Sequence, residues 1–211
     1  MDTKTRILNQ SLALFNVEGE DQQAAIDIAN ALEISPGNLY YHFKGKDAII
    51  HALFDAFEEE MRIILAGAKG GVSSLEDYWV YIHILLEEIW DFRFFYKNLG
   101  ALLARYPDLA RRFRRLTADL RTAIGHVFAG LSENDVIELD PKLADAAVEQ
   151  TIRTLTFWLP MSAVDAVDEE TDNAVLERTV FQTVAVIAPY LRDRDTMVGE
   201  MLDRLDALID A

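Results

Sequence analysis

The chain has 211 residues, 51% of them hydrophobic, no cysteine and a formal net charge of −16. The absence of cysteine excludes disulfides and thiolate-based metal or redox sites, and the global excess of acid means that any nucleic acid must be met by a local patch. The opening MDTKTRILNQ lacks the layout of a secretory signal, and the apolar stretch Val180 to Leu191 is broken by Gln182, Thr183 and Pro189 and too short for a span of about 20 residues, so a cytoplasmic protein with no membrane partner is expected.

Glycine and proline are scarce, and helical periodicity dominates, which predicts an all-α fold. Ile7, Leu8, Leu12 and Phe15 mark a first helix ending near Gly19, and Ala25, Ile28, Ala29 and Leu32 a short second one. A tight turn falls at Glu33-Ile34. Ser35-Pro36 then caps and opens a third short helix with Leu39, Tyr40 and Phe43. After the Lys44-Gly45 turn a long helix is expected from about Lys46 to Ala66, and residues 68–74 read as a linker. Ser74 with Asp77 resembles a capping box for a helix running to about Trp90. Asp91 is a candidate cap for the next helix, Phe92 to Ala104, which Tyr106-Pro107 stops. A helix from Asp108 to Ala129, a loop from Gly130 to Leu139, a helix from Asp140-Pro141 to about Pro160 and an acidic loop from Ser162 to Thr171 come next. Asp172 to Ala188 and Asp195 to Asp210 supply the last helices.

The informative stretch is residues 25–47. Its third helix opens on the small residues Ser35, Pro36, Gly37 and Asn38, which let a helix terminus approach DNA closely. Leu39 and Phe43, one turn apart, face inward. Asn38, Tyr40, Tyr41 and His42 are left on other faces, where Asn can pair with adenine and Tyr and His can contact phosphates or base edges. The first fifty residues nonetheless hold four basic residues (Lys4, Arg6, Lys44, Lys46) against seven acidic ones, a balance of −3.

The run Ile34-Ser35-Pro36-Gly37-Asn38-Leu39-Tyr40-Tyr41-His42-Phe43, continued by Lys44-Gly45-Lys46 and preceded by Ile28-Ala29, Gly19, Leu14-Phe15 and Ile7-Leu8, closely resembles the signature of TetR-family transcription regulators. The resemblance covers about a quarter of the chain, with many positions at fixed spacing. It implies a helix-turn-helix DNA-binding domain over residues 1–47, joined through a connecting helix 46–66 to a larger helical ligand-binding and dimerisation domain over residues 48–211. Carried over by position, Ser35, Pro36, Gly37 and Asn38 would approach base edges, Tyr40, Tyr41 and His42 would contact phosphate or bases, and Lys44 and Lys46 would meet phosphate. Thr3, Lys4 and Arg6 would lie near the backbone or minor groove. The family usually has Gly-Val where this chain has Glu33-Ile34, and Thr or Ser with a basic residue where it has Gln23, Ala24, Ala25 and Ile26. The partners implied are palindromic double-stranded operator DNA, a second copy through helices near 140–158 and 172–188, and a small-molecule effector.

The second domain is dense in aromatics, most simply as core. If it holds an apolar ligand pocket, Trp79, His83, Leu86 and Trp90 stack on one helical face with His83 as the lone polar group. Asn98 beside Phe94 and Thr117 beside Phe113 are the next polar candidates. Arg111 to Arg115 is a solvated face or a seat for an anionic head group. No HExxH, GxSxG, phosphate loop or dinucleotide fingerprint occurs, so no catalytic residue, metal site or cofactor is expected. The leading reading is a ligand-released repressor. The alternative is a helical apolar-ligand carrier with weak or lost DNA binding, favoured by the acidic first domain and opposed by the intact Ser35 to Lys46 segment.

Overall fold

The computed structural model describes residues 2–162, 172–196, 198–199 and 202–203. Helix α1 (Thr3–Glu18) begins where the Asp2 carboxylate accepts the Thr5 amide at 2.7 Å, buries Ile7 and Phe15, and ends at Gly19 with φ 89°, a conformation that a Cβ disfavours. In α2 (Ala25–Ala31) the Asp27 carboxylate reaches back to the Ala24 amide at 2.8 Å, supplying a partner and a negative charge at the positive end of the helix. Helix α3 (Pro36–His42) is capped by Ser35, whose hydroxyl accepts the Asn38 amide at 3.1 Å. Glu33, in the turn between α2 and α3, has φ 56°. After Gly45 comes α4 (Lys46–Ala66), with Ile49, Ile50, Leu53, Phe54, Phe57 and Met61 buried as one helical stripe.

The larger body starts with α5 (Leu75–Asp91). Its expected capping box is present: the Asp77 amide donates to Ser74 Oγ at 3.1 Å and the Ser74 amide to Asp77 Oδ2 at 3.0 Å. The rest comprises α6 (Arg93–Lys97), α7 (Leu99–Arg105), α8 (Pro107–Glu133), α9 (Pro141–Ser162), α10 (Asp172–Val184) and a 3₁₀ turn, Ala185–Tyr190. Helix α5 lies along α10, and α8 lies between α4 and α9. Tilted and edge-on aromatic contacts fill the space beside α4: Phe57 meets Phe92, Phe95 and Tyr96 at 5.4–6.0 Å, and Phe54 meets Phe95 at 5.3 Å.

Three boundaries differ from those read in the sequence. The segment Phe92 to Ala104 is two short helices parted at Asn98 (φ −129°, ψ 37°), and Asp91 closes α5 instead of capping α6. Phe94, Phe95 and Tyr96 are all buried. Consecutive residues point about 100° apart on a helix, so α6 is enclosed by core between α1 and α9 and cannot continue as a surface helix. Second, α8 runs through Gly130 to Glu133, because that glycine packs on the loop before α5, where a Cβ would come 2.7 Å from the Val72 carbonyl oxygen. The loop is correspondingly shorter, and Ile137 bridges Leu191 with the Glu138 amide donating to Tyr190 O at 2.7 Å. Third, α10 tightens into the 3₁₀ turn at Ala185, ahead of Pro189, which cannot donate to a continuing helix. The acidic loop to Thr171 and most of the final helix expected at 195–210 lie outside the described residues. Among the described residues no helix is long and apolar enough to cross a membrane.

Candidate nucleic-acid interface

The roll of α3 is fixed by its own apolar residues. Leu39 and Phe43 are buried beside Ile28 and Ala29 of α2, each burial contributing about 1.5–3 kcal/mol. With that face inward, Tyr40 is 58% and Tyr41 79% exposed. Pro36, Gly37 and Asn38 are exposed too, and His42 is half-buried, edge-on to Tyr41 with ring centroids 5.2 Å apart. At Gly37 a Cβ would meet only Ser35 Oγ, at 3.9 Å. The protein's own packing therefore does not demand glycine there, and the open space faces outward. The Ser35 hydroxyl is committed to its cap.

The cations around α3 differ in their availability. Lys4 is exposed, with Nζ 5.8 Å from the Phe43 ring. Lys44 donates to the Tyr40 carbonyl at 3.2 Å and lies 4.6 Å from that ring, which aligns the two side chains on one edge. Lys46 is held inside the protein: its Nζ donates to Glu20 O at 2.6 Å and sits 3.5 Å from Glu20 Oε2. Glu20 is itself buried and also binds Arg105 at 3.2 Å.

Sequence reasoning missed this junction. Besides Glu20 with Lys46 and Arg105, Tyr106 donates to Asp47 Oδ1 at 2.7 Å, and His51 spans the Asp47 carbonyl at 2.7 Å and the Asp108 carboxylate at 2.8 Å. Burial opposes the His51 imidazolium, but the Asp47 carbonyl and the Asp108 carboxylate outweigh it, and the His51 pKa is raised. A second tie is buried Asn16, whose amide donates to Asp91 O at 2.7 Å and accepts the Phe94 amide at 3.1 Å, while Lys97 reaches the Asn16 carbonyl at 3.1 Å. The partners that tie residues 16–51 to residues 91–108 lie some 57 to 85 residues apart in sequence, beyond any local pattern.

Among the described residues, those singled out for a ligand pack against separate neighbours. Trp79 is buried edge-on to Phe181 at 6.5 Å, and Trp90 stacks on Trp158 at 5.7 Å with the Arg93 guanidinium 4.6 Å from its ring. His83 lies 3.3 Å from Glu87 and 3.4 Å from Glu177, so its polarity is met by two carboxylates. Phe94 packs on Phe15 at 5.3 Å and Phe113 on Tyr96 at 5.7 Å. Asn98 is exposed at the α6–α7 break, and the Thr117 hydroxyl donates to Phe113 O at 2.9 Å. Among the described residues no group of three His, Cys, Asp or Glu is placed to hold a metal ion.

The family model described as "Bacterial regulatory proteins, tetR family" matches residues 7–53, and that described as "Bacterial transcriptional repressor" matches residues 56–196. The HTH-type transcriptional regulator UidR of Escherichia coli (strain K12) is 41% identical over 51 residues, 24% of this chain and 26% of UidR, so the match spans about a quarter of that relative. A TetR-family transcriptional regulator from Marinobacter aquaeolei VT8 is 30% identical, with a TM-score of 0.86 over 96% of this chain and 98% of that one. The ketosteroid transcriptional regulator KstR2 of Mycobacterium tuberculosis, 17% identical, shares the fold at a TM-score of 0.68 over 91% and 96% of the two chains. With the helix-turn-helix head and the helical body both matched, the chain belongs to the TetR family: it is a DNA-binding transcriptional regulator and not an enzyme.

Proposed function

We propose that the protein is a homodimeric repressor that reads a palindromic operator with α3 and leaves it when a small amphipathic ligand binds the body. Residues 1–47 form the reading head, α4 connects it, and residues 48–211 hold the effector and the dimer face. The observation that carries the reading is the outward face of α3, where Asn38, Tyr40, Tyr41 and His42 stand over buried Leu39 and Phe43 beside Lys44. Asn38 and His42 would meet base edges in the major groove, and Tyr40, Tyr41, Lys44 and Lys4 would meet phosphates. For the dimer, support comes from Leu143, Phe157 and Met161, 47–55% exposed along α9. Val180 and Val184 of α10 turn inward and are fully buried, so the contribution of α10 would come from its other face, with Phe181 and Gln182.

The test is fluorescence anisotropy with the palindrome upstream of the protein's own gene. Tyr41→Ala and His42→Ala should each weaken specific binding by about 1–3 kcal/mol per half-site, with helicity and oligomeric state unchanged. Unchanged affinity in both variants would sink the assignment of α3. Phe157→Glu should yield monomers in sedimentation; an intact dimer would move the interface elsewhere.

A further inference from the structure

A cleft of about 420 Å³ runs along the outer seam between α4 and α8, within the ~300–1,000 Å³ range of small-molecule sites. Its apolar surface is Leu65 and Ala66 of α4 with Leu116 and Ala123 of α8. Its ionisable groups are unevenly committed. The acids Asp55 and Glu58 both bind Arg112 at 2.7 Å, and Glu59 pairs with Arg62. Arg115 and Lys69 line the cleft with no ion pair among the described residues, and exposed His126 lies one turn beyond Thr122 and Ala123 on the same wall. Asp119, one turn from Arg115, is the acid that remains. The two helices run side by side from the junction near α3 outward, since His51 meets Asp108 and, a turn later, Asp55 and Glu58 meet Arg112. Past α4 lies Lys69, and furthest along α8 lies His126. Lys69 and His126 thus stand at the end away from the head, and Arg115, one turn past Arg112, at the end nearer it.

We infer that this cleft binds a small amphipathic carboxylate, its hydrocarbon on Leu65, Leu116 and Ala123 and its head group drawn by the long side chains of Arg115 from the near end and Lys69 from the far end, with His126 at the rim. A carboxylate is favoured over an ammonium because three of the four acids facing the groove already hold cations, leaving Asp119 alone against two cations with no ion pair among the described residues, Arg115 and Lys69, and charge-assisted hydrogen bonds to an anion are what those cations lack. Arg115 belongs to the Arg111 to Arg115 run. Of that run, Arg112 is internal to the protein and Arg115 is left for a ligand. For its regulatory consequence the inference rests on the repressor reading. An occupant above the Arg112 pairs wedges α4 from α8, and α4 carries the head, so a ligand that prefers the spread seam opposes the operator-bound spacing. The site itself stands without that reading.

The test titrates decanoate and 2-naphthoate, with decan-1-ol and decyltrimethylammonium as controls, into the full-length protein without DNA, monitored by calorimetry and thermal unfolding. A carboxylate should bind at least about tenfold more tightly than the alcohol or the ammonium, and lose at least about tenfold in Arg115→Gln/Lys69→Gln. Both positions face solvent, so the double variant keeps its circular dichroism. Failure of both carboxylates at millimolar concentration, equal binding to the double variant, or equal binding of decyltrimethylammonium would overturn the site. Repeating the titration on the operator complex separates the two ideas: carboxylate binding with unchanged DNA affinity leaves the site standing and refutes ligand-released repression.

Discussion

Glu33→Gly should stabilise the protein, and by an amount that the turn itself sets. Glu33 is exposed, has φ 56°, and is pinned there because its amide donates to Asn30 O and the Ile34 amide to Ala29 O, both at 3.0 Å. The left-handed conformation costs a residue with a Cβ about 1–2 kcal/mol. Glycine removes that strain but loses more chain entropy on folding, about 0.5–1 kcal/mol. The expected net gain is about 0.5–1 kcal/mol, or a Tm rise of about 1–4 °C for a chain of this size. Thermal unfolding is compared at one protein concentration, because the Tm of the proposed dimer would depend on it. Glu33→Ala is the control: it removes the same charge from the head but keeps the Cβ. Both variants should bind operator somewhat more tightly, through lost repulsion, whereas the glycine variant alone should gain stability. An alanine variant as stable as the glycine variant would show that the turn is unstrained and refute the reasoning.

Glu88 has a carboxylate oxygen buried without a partner, and burial, then Asp91 and Glu60, push its pKa up to about 7. Because the folded pKa lies above the unfolded one, stability is lost as pH rises from about 4.5 through about 7. Discounted for partial exposure, Glu88→Gln should stabilise by about 1–2 kcal/mol at pH 8 and be nearly neutral at pH 4.5, read as the difference in Tm across pH; a pH-independent difference would reject the cause. Asn16→Ala should cost about 2–3 kcal/mol by stranding the Phe94 amide and the Asp91 carbonyl, measured by urea unfolding, with a loss under about 0.5 kcal/mol contradicting the tie. With Lys46 held by Glu20, Lys4, Arg6 and Lys44 remain in each copy of the proposed dimer, so log operator affinity should fall with log salt at a slope no steeper than about −5. A steeper slope would mean that Lys46 leaves Glu20 on DNA or that α8 joins the interface.

Local chemistry was legible. The limits of α4, the Ser35 cap and the Ser74–Asp77 box each come from residues within one turn, and the inward roll of α3 comes from Leu39 and Phe43. The failures were of two kinds. The break at Asn98 and the passage of α8 through Gly130 are imposed by packing, the first by three successive buried aromatics and the second by the Val72 carbonyl. The body's aromatic stripes were ambiguous because periodicity marks an apolar face without saying whether a cavity or another helix covers it. His83 stood out as polar on such a face, and the sequence held no sign that Glu177, on a distant helix, would answer it. The acidic balance of the head likewise concealed that one of its four cations is spent on a buried glutamate.

The bonds that Asn16 and Glu20 make to residues 91–105 also bear on how the molecule comes apart. Head and body share one hydrophobic cluster, with Phe15 against Phe94 at 5.3 Å, and unfolding either one also strands buried polar groups of the other. Cooperativity therefore extends across the boundary. Amide exchange in α1 should track global unfolding instead of a private opening of the head, and calorimetry should register one transition. Heads are therefore not interchangeable between bodies. A graft that carries residues 1–47 onto a foreign scaffold leaves behind the carbonyl, amide and guanidinium that anchor Asn16 and Glu20, and it inherits a reading surface without the fixture that aims it.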